Sequence, residues 1–225
     1  MTATTLDILW LSGKVALGCV LISLPFGLVI GTVLARFEFR GKSLVDGFCH
    51  LPLVLPPVVT GYLLLVTFGR RGPIGAVLEE TFGIHLAFDW KGAVLASAVV
   101  GFPLMLRAIR QGIESIDPRL EGAARTLGAR PLYAYVMVTL RLALPAIAIG
   151  CLLSFARSLG EFGATVTFVS NIPGETQTLP LAVFTYLNVP EGDAAAVRLV
   201  LVSVALSFVA ILISNRLGAY LRRSN

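Results

Sequence analysis

Long apolar stretches alternate with short polar segments along this chain. Five stretches contain no aspartate, glutamate, lysine or arginine, and they cover residues 15–35, 47–69, 92–106, 142–156 and 199–215. A helix needs roughly 20 apolar residues to cross the core of a bilayer. We therefore expect the short third stretch to extend into Phe88, Trp90 and Arg107, and the fourth into residues 133–140. The pattern predicts an all-α, polytopic membrane protein with five transmembrane helices in one domain, residues 1–225.

The composition supports this class. The chain is 56% hydrophobic and only 14% charged, with a mean hydropathy of +0.85. Soluble domains are usually about half apolar and a quarter charged. The net charge of +5 does not indicate nucleic acid, because the basic residues are too scattered between the apolar stretches to form a continuous binding surface.

Lysine and arginine are distributed unevenly between the two sides of such a protein. With the N-terminus outside, six of them lie outside, namely Lys14, Arg70, Arg71, Lys91, Arg157 and Arg198. Twelve lie in the cytoplasm, namely Arg36, Arg40, Lys42, Arg107, Arg110, Arg119, Arg125, Arg130, Arg141, Arg216, Arg222 and Arg223. Cytoplasmic segments are enriched in these residues, so the count predicts an N-out, C-in orientation.

Residues 161–197 are the main ambiguity in this topology. Their apolar part is interrupted by Pro173, Pro180 and Pro190. We interpret the segment as an outer gate or a partly re-entrant segment, since irregular backbone at membrane depth must be buried in protein or line a cavity. A sixth span here would place the C-terminal arginines outside, against the charge bias.

The predicted cytoplasmic loop, about residues 107–141, contains a short helix of small residues. Asp117 can cap a helix start and Pro118 suits the first helical position. Residues 122–124 leave one helix face nearly bare, and Gly128 fits a helix end. The helix is either a docking surface for another protein or an ordinary solvated linker.

Prolines are concentrated in the second apolar stretch. Pro52, Pro56 and Pro57 each remove a backbone donor within a predicted span, and Gly61 follows them. The freed carbonyls need protein or water as partners, so this segment either lines the pathway and its gate or is kinked for packing.

A second candidate for the pathway or gate is Arg157, Ser158 and Glu161 at the end of the fourth stretch. Ionisable residues within membrane segments often mark pathways. The i,i+4 spacing of Arg157 and Glu161 also allows a simple ion pair.

The loop at residues 121–128 resembles the coupling loop of bacterial ABC importer permeases. The family pattern is Glu-Ala-Ala, three residues, Gly, nine residues, Ile, one residue, Leu-Pro, and alignment on Gly128 places Ala123 and Ala124 on the two alanines. Glu121 falls one residue early, and Arg141 stands where the family has proline. The resemblance implies the type I ABC importer permease fold, with Glu121, Ala123, Ala124 and Gly128 in a loop that docks on an ATP-hydrolysing subunit.

Nearly the whole chain is similar to the molybdate importer permeases of this family. The similarity rests on both candidate pathway clusters, on their order around the loop, and on residues 37–43 and 70–72. It implies a multi-pass homodimer in the bacterial inner membrane, two cytoplasmic ATP-binding subunits and a periplasmic molybdate-binding protein. Permeases for tungstate or sulfate remain alternatives.

Two alternatives belong to other classes. A self-contained channel or ion-coupled carrier would favour internal repeats or a chain of intramembrane acids and bases, and neither is visible in the sequence. A structural assembly factor would not need prolines within a span.

No enzymatic, cofactor or metal site is predicted. The sequence has no G-x-x-x-x-G-K-[ST] motif, so ATP hydrolysis would belong to a partner. Cys19, Cys49 and Cys151 lie in apolar surroundings without ligand spacing, and His50 beside Cys49 fits packing better than a metal site.

Overall fold

The computed structural model describes residues 4–223, and in that range the chain is helical with no strand. The helices are α1 Thr5–Arg36, α2 Lys42–Val54, α3 Pro57–Phe68, α4 Pro73–Phe82, α5 Trp90–Glu114, α6 Arg119–Thr126, α7 Pro131–Ala134, α8 Arg141–Leu159, α9 Gly163–Val169, α10 Leu179–Leu187 and α11 Asp193–Arg223, with a π-helix at Tyr135–Leu140 between α7 and α8. The all-α prediction is confirmed.

Three long apolar segments of the described chain can each cross a membrane. They are α1, α5 and the continuous helical segment Pro131–Leu159. The last two are the short third and fourth stretches extended into their flanks as expected, although α5 begins at Trp90 and leaves Phe88 in the preceding turn.

The second predicted span is not one continuous helix, which corrects the sequence expectation for residues 47–69. The chain bends by 113° between α2 and α3. Leu55 and Pro56 each precede a proline, which disfavours the helical conformation, and both are extended with ψ of 141° and 133°. The pair is therefore either one broken span or a re-entrant loop.

Helix α5 forms the centre of the bundle, packed mainly against α1 and α8. Glycines permit the close approach: a Cβ added at Gly31 of α1 would lie 3.0 Å from a side-chain atom of Ile109, and one added at Gly150 of α8 would lie 3.1 Å from the carbonyl oxygen of Met105. Small residues at helix contacts are what allow tight packing in a membrane, where lipid is as apolar as the helices.

The fifth predicted stretch, 199–215, lies within α11, which packs against α8 and α10. The side chains of Arg222 and Arg223, which contribute to the predicted orientation, fall outside the described residues. The five-span count and the N-out, C-in orientation remain predictions.

The ambiguous segment 161–197 folds into α9, α10 and an ordered connection. The Asn171 amide donates to Thr185 Oγ1 at 2.8 Å, and the Gln177 amide donates to Asn171 Oδ1 at 3.1 Å. Helix α9 packs against α3 and α5, and α10 packs against α11. The position of segment 161–197 relative to the membrane stays a prediction.

Candidate functional site

The short helix expected in the cytoplasmic loop is α6, and its start follows the predicted chemistry. The Asp117 carboxylate accepts a hydrogen bond from the backbone N–H of Arg119 at 2.9 Å. Pro118 already has helical dihedrals, φ −58° and ψ −21°. An acidic cap satisfies a free donor and complements the positive end of the helix dipole.

The end of α6 is a glycine-dependent cap. Gly128 has φ +92°, a conformation that glycine adopts without strain. Its N–H donates to the Arg125 carbonyl at 3.0 Å, and the N–H of Ala129 donates to the Ala124 carbonyl at 3.1 Å. This pair of bonds is a Schellman motif, which confirms the helix end predicted at Gly128.

The solvent-exposed surface of this loop is apolar as well as basic. Leu127 is 89% exposed and Leu132 is 75% exposed, with Tyr133 also exposed. Ala123 is exposed and Ala124 is half-buried. The hydropathy pattern did not single out these leucines. However, Leu127 stands directly before the predicted helix-ending Gly128, and an exposed leucine there is a signal of an apolar docking surface.

The carboxylate of Glu121 is occupied within the chain. Arg36 Nη2 lies 3.0 Å from Glu121 Oε1, and the Thr139 hydroxyl donates to the same oxygen. Arg36 and Thr139 come from α1 and the π-helix, far from Glu121 in sequence, so spacing alone could not identify them.

Two members of the first candidate pathway cluster, Pro57 and Gly61, lie where α3 packs against α9. A Cβ added at Gly61 would lie 2.6 Å from the Ala164 carbonyl oxygen, and one added at Gly163 would lie 2.7 Å from Pro57 Cβ. Gly61 and Pro57 therefore serve a close helix contact. Pro56 lies at the break between α2 and α3.

Pro52 lies apart from this contact. It lines an apolar groove of about 480 Å³ between α1, α2 and α5.

Arg157 and Glu161 form the ion pair that their spacing allows. Arg157 Nη1 is 2.7 Å from Glu161 Oε2, and the Glu161 side chain is only 2% exposed. Glu161 Oε1 accepts from the backbone N–H of Ala164 at 3.0 Å, which fixes the start of α9. A buried carboxylate needs such compensation, so these contacts hold the junction of α8 and α9 together.

Ser158 lies in a small polar cluster inside the helix bundle. It is buried with Cys19, Ser23 and Ser154, and Cys19 Sγ is 3.5 Å from Ser154 Oγ. A Cβ added at Gly101 would come within 2.8 Å of Ser154 Oγ and 3.5 Å of Cys19 Sγ, so the cluster sits where α1, α5 and α8 meet.

His50 is engaged by its own helix. Its Nδ1 lies 2.8 Å from the Asp46 carbonyl oxygen and 3.4 Å from an Asp46 carboxylate oxygen. Among the residues with described placement, no group of three His, Cys, Asp or Glu side chains could hold a metal ion.

Comparison with known proteins identifies the family. Residues 23–223 match the family model of the binding-protein-dependent transport system inner membrane component. The chain belongs to this family. It is a multi-pass protein of the inner membrane, and its family works with a substrate-binding protein and an ATPase.

Two relatives are similar over almost their full length. The molybdenum transport system permease protein ModB of Escherichia coli K12 is 57% identical over 208 residues, covering 92% of this chain and 91% of the relative. The ModB protein of Haemophilus influenzae is 52% identical over 213 residues, covering 95% and 93%.

The fold also matches a solved ABC transporter. A chain of the bacterial alginate ABC transporter in complex with its pentasaccharide-bound periplasmic protein superposes with a TM-score of 0.73 at 14% identity, covering 95% of this chain and 77% of that one. At that identity the match supports the permease fold alone.

Proposed function

We propose that this chain is the membrane permease subunit of an ATP-driven importer of molybdate. The observation that carries the proposal is the 57% identity to E. coli ModB over 92% of the chain. The subunit itself is not an enzyme: it pairs with a second copy, takes substrate from a periplasmic molybdate-binding protein, and is driven by two cytoplasmic ATP-binding subunits.

Delivery by a partner protein fits the physics of a dianion. A dense cluster of donors inside the membrane would bind molybdate too tightly for release. Arg110 of α5 offers little to such an anion, because it is already paired with Asp46 at 2.9 Å and with Glu114 at 2.7 Å. Selectivity therefore belongs mainly to the binding protein.

In this proposal α6 and the turn after it dock on the ATPase. The exposed apolar contacts are Leu127, Leu132 and Tyr133, and arginines 119, 125 and 130 surround them. Such a surface fits a partner groove with an apolar floor and acidic walls, since buried apolar anchors supply affinity and charges steer the encounter. Ala123 and Gly128 keep the backbone accessible beside these anchors.

Uptake of radiolabelled molybdate tests the proposal. A strain that lacks its own permease but retains the ATPase and the binding protein should regain uptake when this chain is expressed, and excess unlabelled sulfate should leave that uptake unchanged. Competition by tungstate is measured in parallel. Entry of labelled sulfate instead would indicate a sulfate permease, and uptake that persists without the ATPase would indicate a self-contained carrier.

A further inference from the structure

One carboxylate joins three elements at the cytoplasmic loop. Glu121 in the first turn of α6 accepts from Arg36 Nη2 at 3.0 Å and from the Thr139 hydroxyl. Arg36 is the last residue of α1, and its Nη1 also donates to the Ile116 carbonyl at 3.4 Å. The set links the end of α1, the turn after α5, helix α6 and the π-helix.

This ion pair is shielded from solvent. The side chains of Arg36 and Glu121 are 16% and 24% exposed. By contrast, Glu38 in the nearby Lys42–Glu38 pair is 88% exposed. Exposed pairs contribute little, whereas removal of one partner from a shielded pair leaves an uncompensated charge.

Helix α6 has few other attachments to the bundle. None of its residues is buried, and it packs mainly against α7 and the π-helix that follow it in the chain. Glu121 bonds directly to the end of α1, so this contact is a direct mechanical connection between α6 and α1. Thr139 belongs to the π-helix Tyr135–Leu140, and π-helical turns often mark functional sites.

We propose that Arg36, Glu121 and Thr139 form a latch that carries movement of α6 into α1, so that Glu121 is a positioning residue and not a contact to the ATPase. The proposal rests on the proposed function, in which α6 docks on an ATP-hydrolysing partner. The ATPase supplies the displacement, the apolar surface around Leu127 holds the partner, and the latch transmits the movement to a membrane helix.

A double-mutant cycle in the reconstituted transporter tests the latch. The variants are Arg36→Gln, Glu121→Gln and the two combined, with Glu38→Gln as the control for loss of an exposed carboxylate. We expect the ATPase to co-purify with every variant, and the ATP consumed per molybdate imported to rise at least about fivefold in both single variants. The double variant should be no worse than the worse single one, because the two groups act as a pair.

A distance measurement makes the test independent of the substrate. Spin labels at position 40, after α1, and at position 122, on α6, are placed in a cysteine-free version of the complex. With the latch intact the distance between them should stay constant when ATP binds, and in Glu121→Gln it should change. Since molybdate is not needed, absence of molybdate uptake by the unmutated transporter refutes the proposed substrate and leaves this readout valid.

Two results would overturn the latch. Loss of ATPase co-purification in Glu121→Gln but not in Arg36→Gln would make Glu121 a docking contact. Equal label distances in the unmutated and Glu121→Gln complexes, with unchanged ATP consumption per molybdate, would leave the ion pair without a role in transmission.

Discussion

Gly61 lacks a side chain at the point where α3 and α9 come closest. An added Cβ would lie 2.6 Å from the Ala164 carbonyl oxygen and 2.8 Å from Thr167 Cβ, closer than real Cβ atoms approach other atoms. A third obstacle is the Ala164 Cα at 2.9 Å. Since the carbonyl oxygen and this Cα belong to the backbone, rotation of a side chain cannot relieve the clash. Helix packing therefore requires glycine at position 61.

Replacement of Gly61 by alanine should destabilise the protein by about 1–3 kcal/mol, the usual cost of overpacking. The thermal unfolding midpoint of the detergent-solubilised protein measures this. Gly47→Ala is the matched control, because a Cβ at Gly47 would meet nothing within 4 Å. Equal midpoints for the two variants would show that α3 and α9 can separate without cost.

Helix α6 depends on its glycine cap for its shape. The positive φ of Gly128 closes two hydrogen bonds at the helix end and places Leu127 and Leu132 on either side of the turn. Non-glycine residues in this conformation cost roughly 1–2 kcal/mol. A β-branched residue should therefore change the direction in which the chain leaves α6.

We expect Gly128→Val to reduce ATPase co-purification and molybdate uptake while membrane insertion is retained. Gly83→Val is the matched control, since Gly83 also ends a helix, α4, with a positive φ of 63° and a Cβ there would face open space. Immunoblots of the membrane fraction measure insertion, and pull-down of the ATPase measures docking. Normal pull-down of the ATPase with Gly128→Val would show that the glycine cap is not needed for docking.

At the scale of the whole molecule, the break between α2 and α3 decides the topology. If the pair crosses the membrane once, the five predicted spans place the termini on opposite sides. If it is a re-entrant loop, the remaining spans are even in number and the termini share a side. The 113° bend is compatible with either arrangement.

Reporter fusions distinguish the two arrangements. Alkaline phosphatase fused after Gly72 should be active in the periplasm, whereas a fusion after Asn225 should be inactive and green fluorescent protein at the same position should fluoresce. This result follows from the bias of lysine and arginine towards the cytoplasm. Active phosphatase after Asn225 would contradict the C-in orientation, and inactive phosphatase after Gly72 would make α2 and α3 a re-entrant loop.

Features that depend on neighbouring residues were predictable from the sequence. Uncharged length predicted the apolar helices, Asp117 and Gly128 predicted the ends of α6, and the spacing of Arg157 and Glu161 allowed their ion pair. Each follows from local hydrogen bonding, backbone conformation or hydropathy, which are properties of a few adjacent residues. The resemblance at residues 121–128 added the family, which the family model then confirmed.

Contacts between distant residues became visible only in the packed helices. The sequence offers Gly61 as a pathway candidate, and the resemblance places Glu121 in the docking loop; both roles stay predictions. The structure adds that Gly61 packs against Ala164 and that Glu121 bonds to Arg36. It also turns the predicted second span through 113°. Helix packing brings together side chains and backbones that are tens of residues apart, so their partners depend on the crossing of the helices and not on any spacing along the chain.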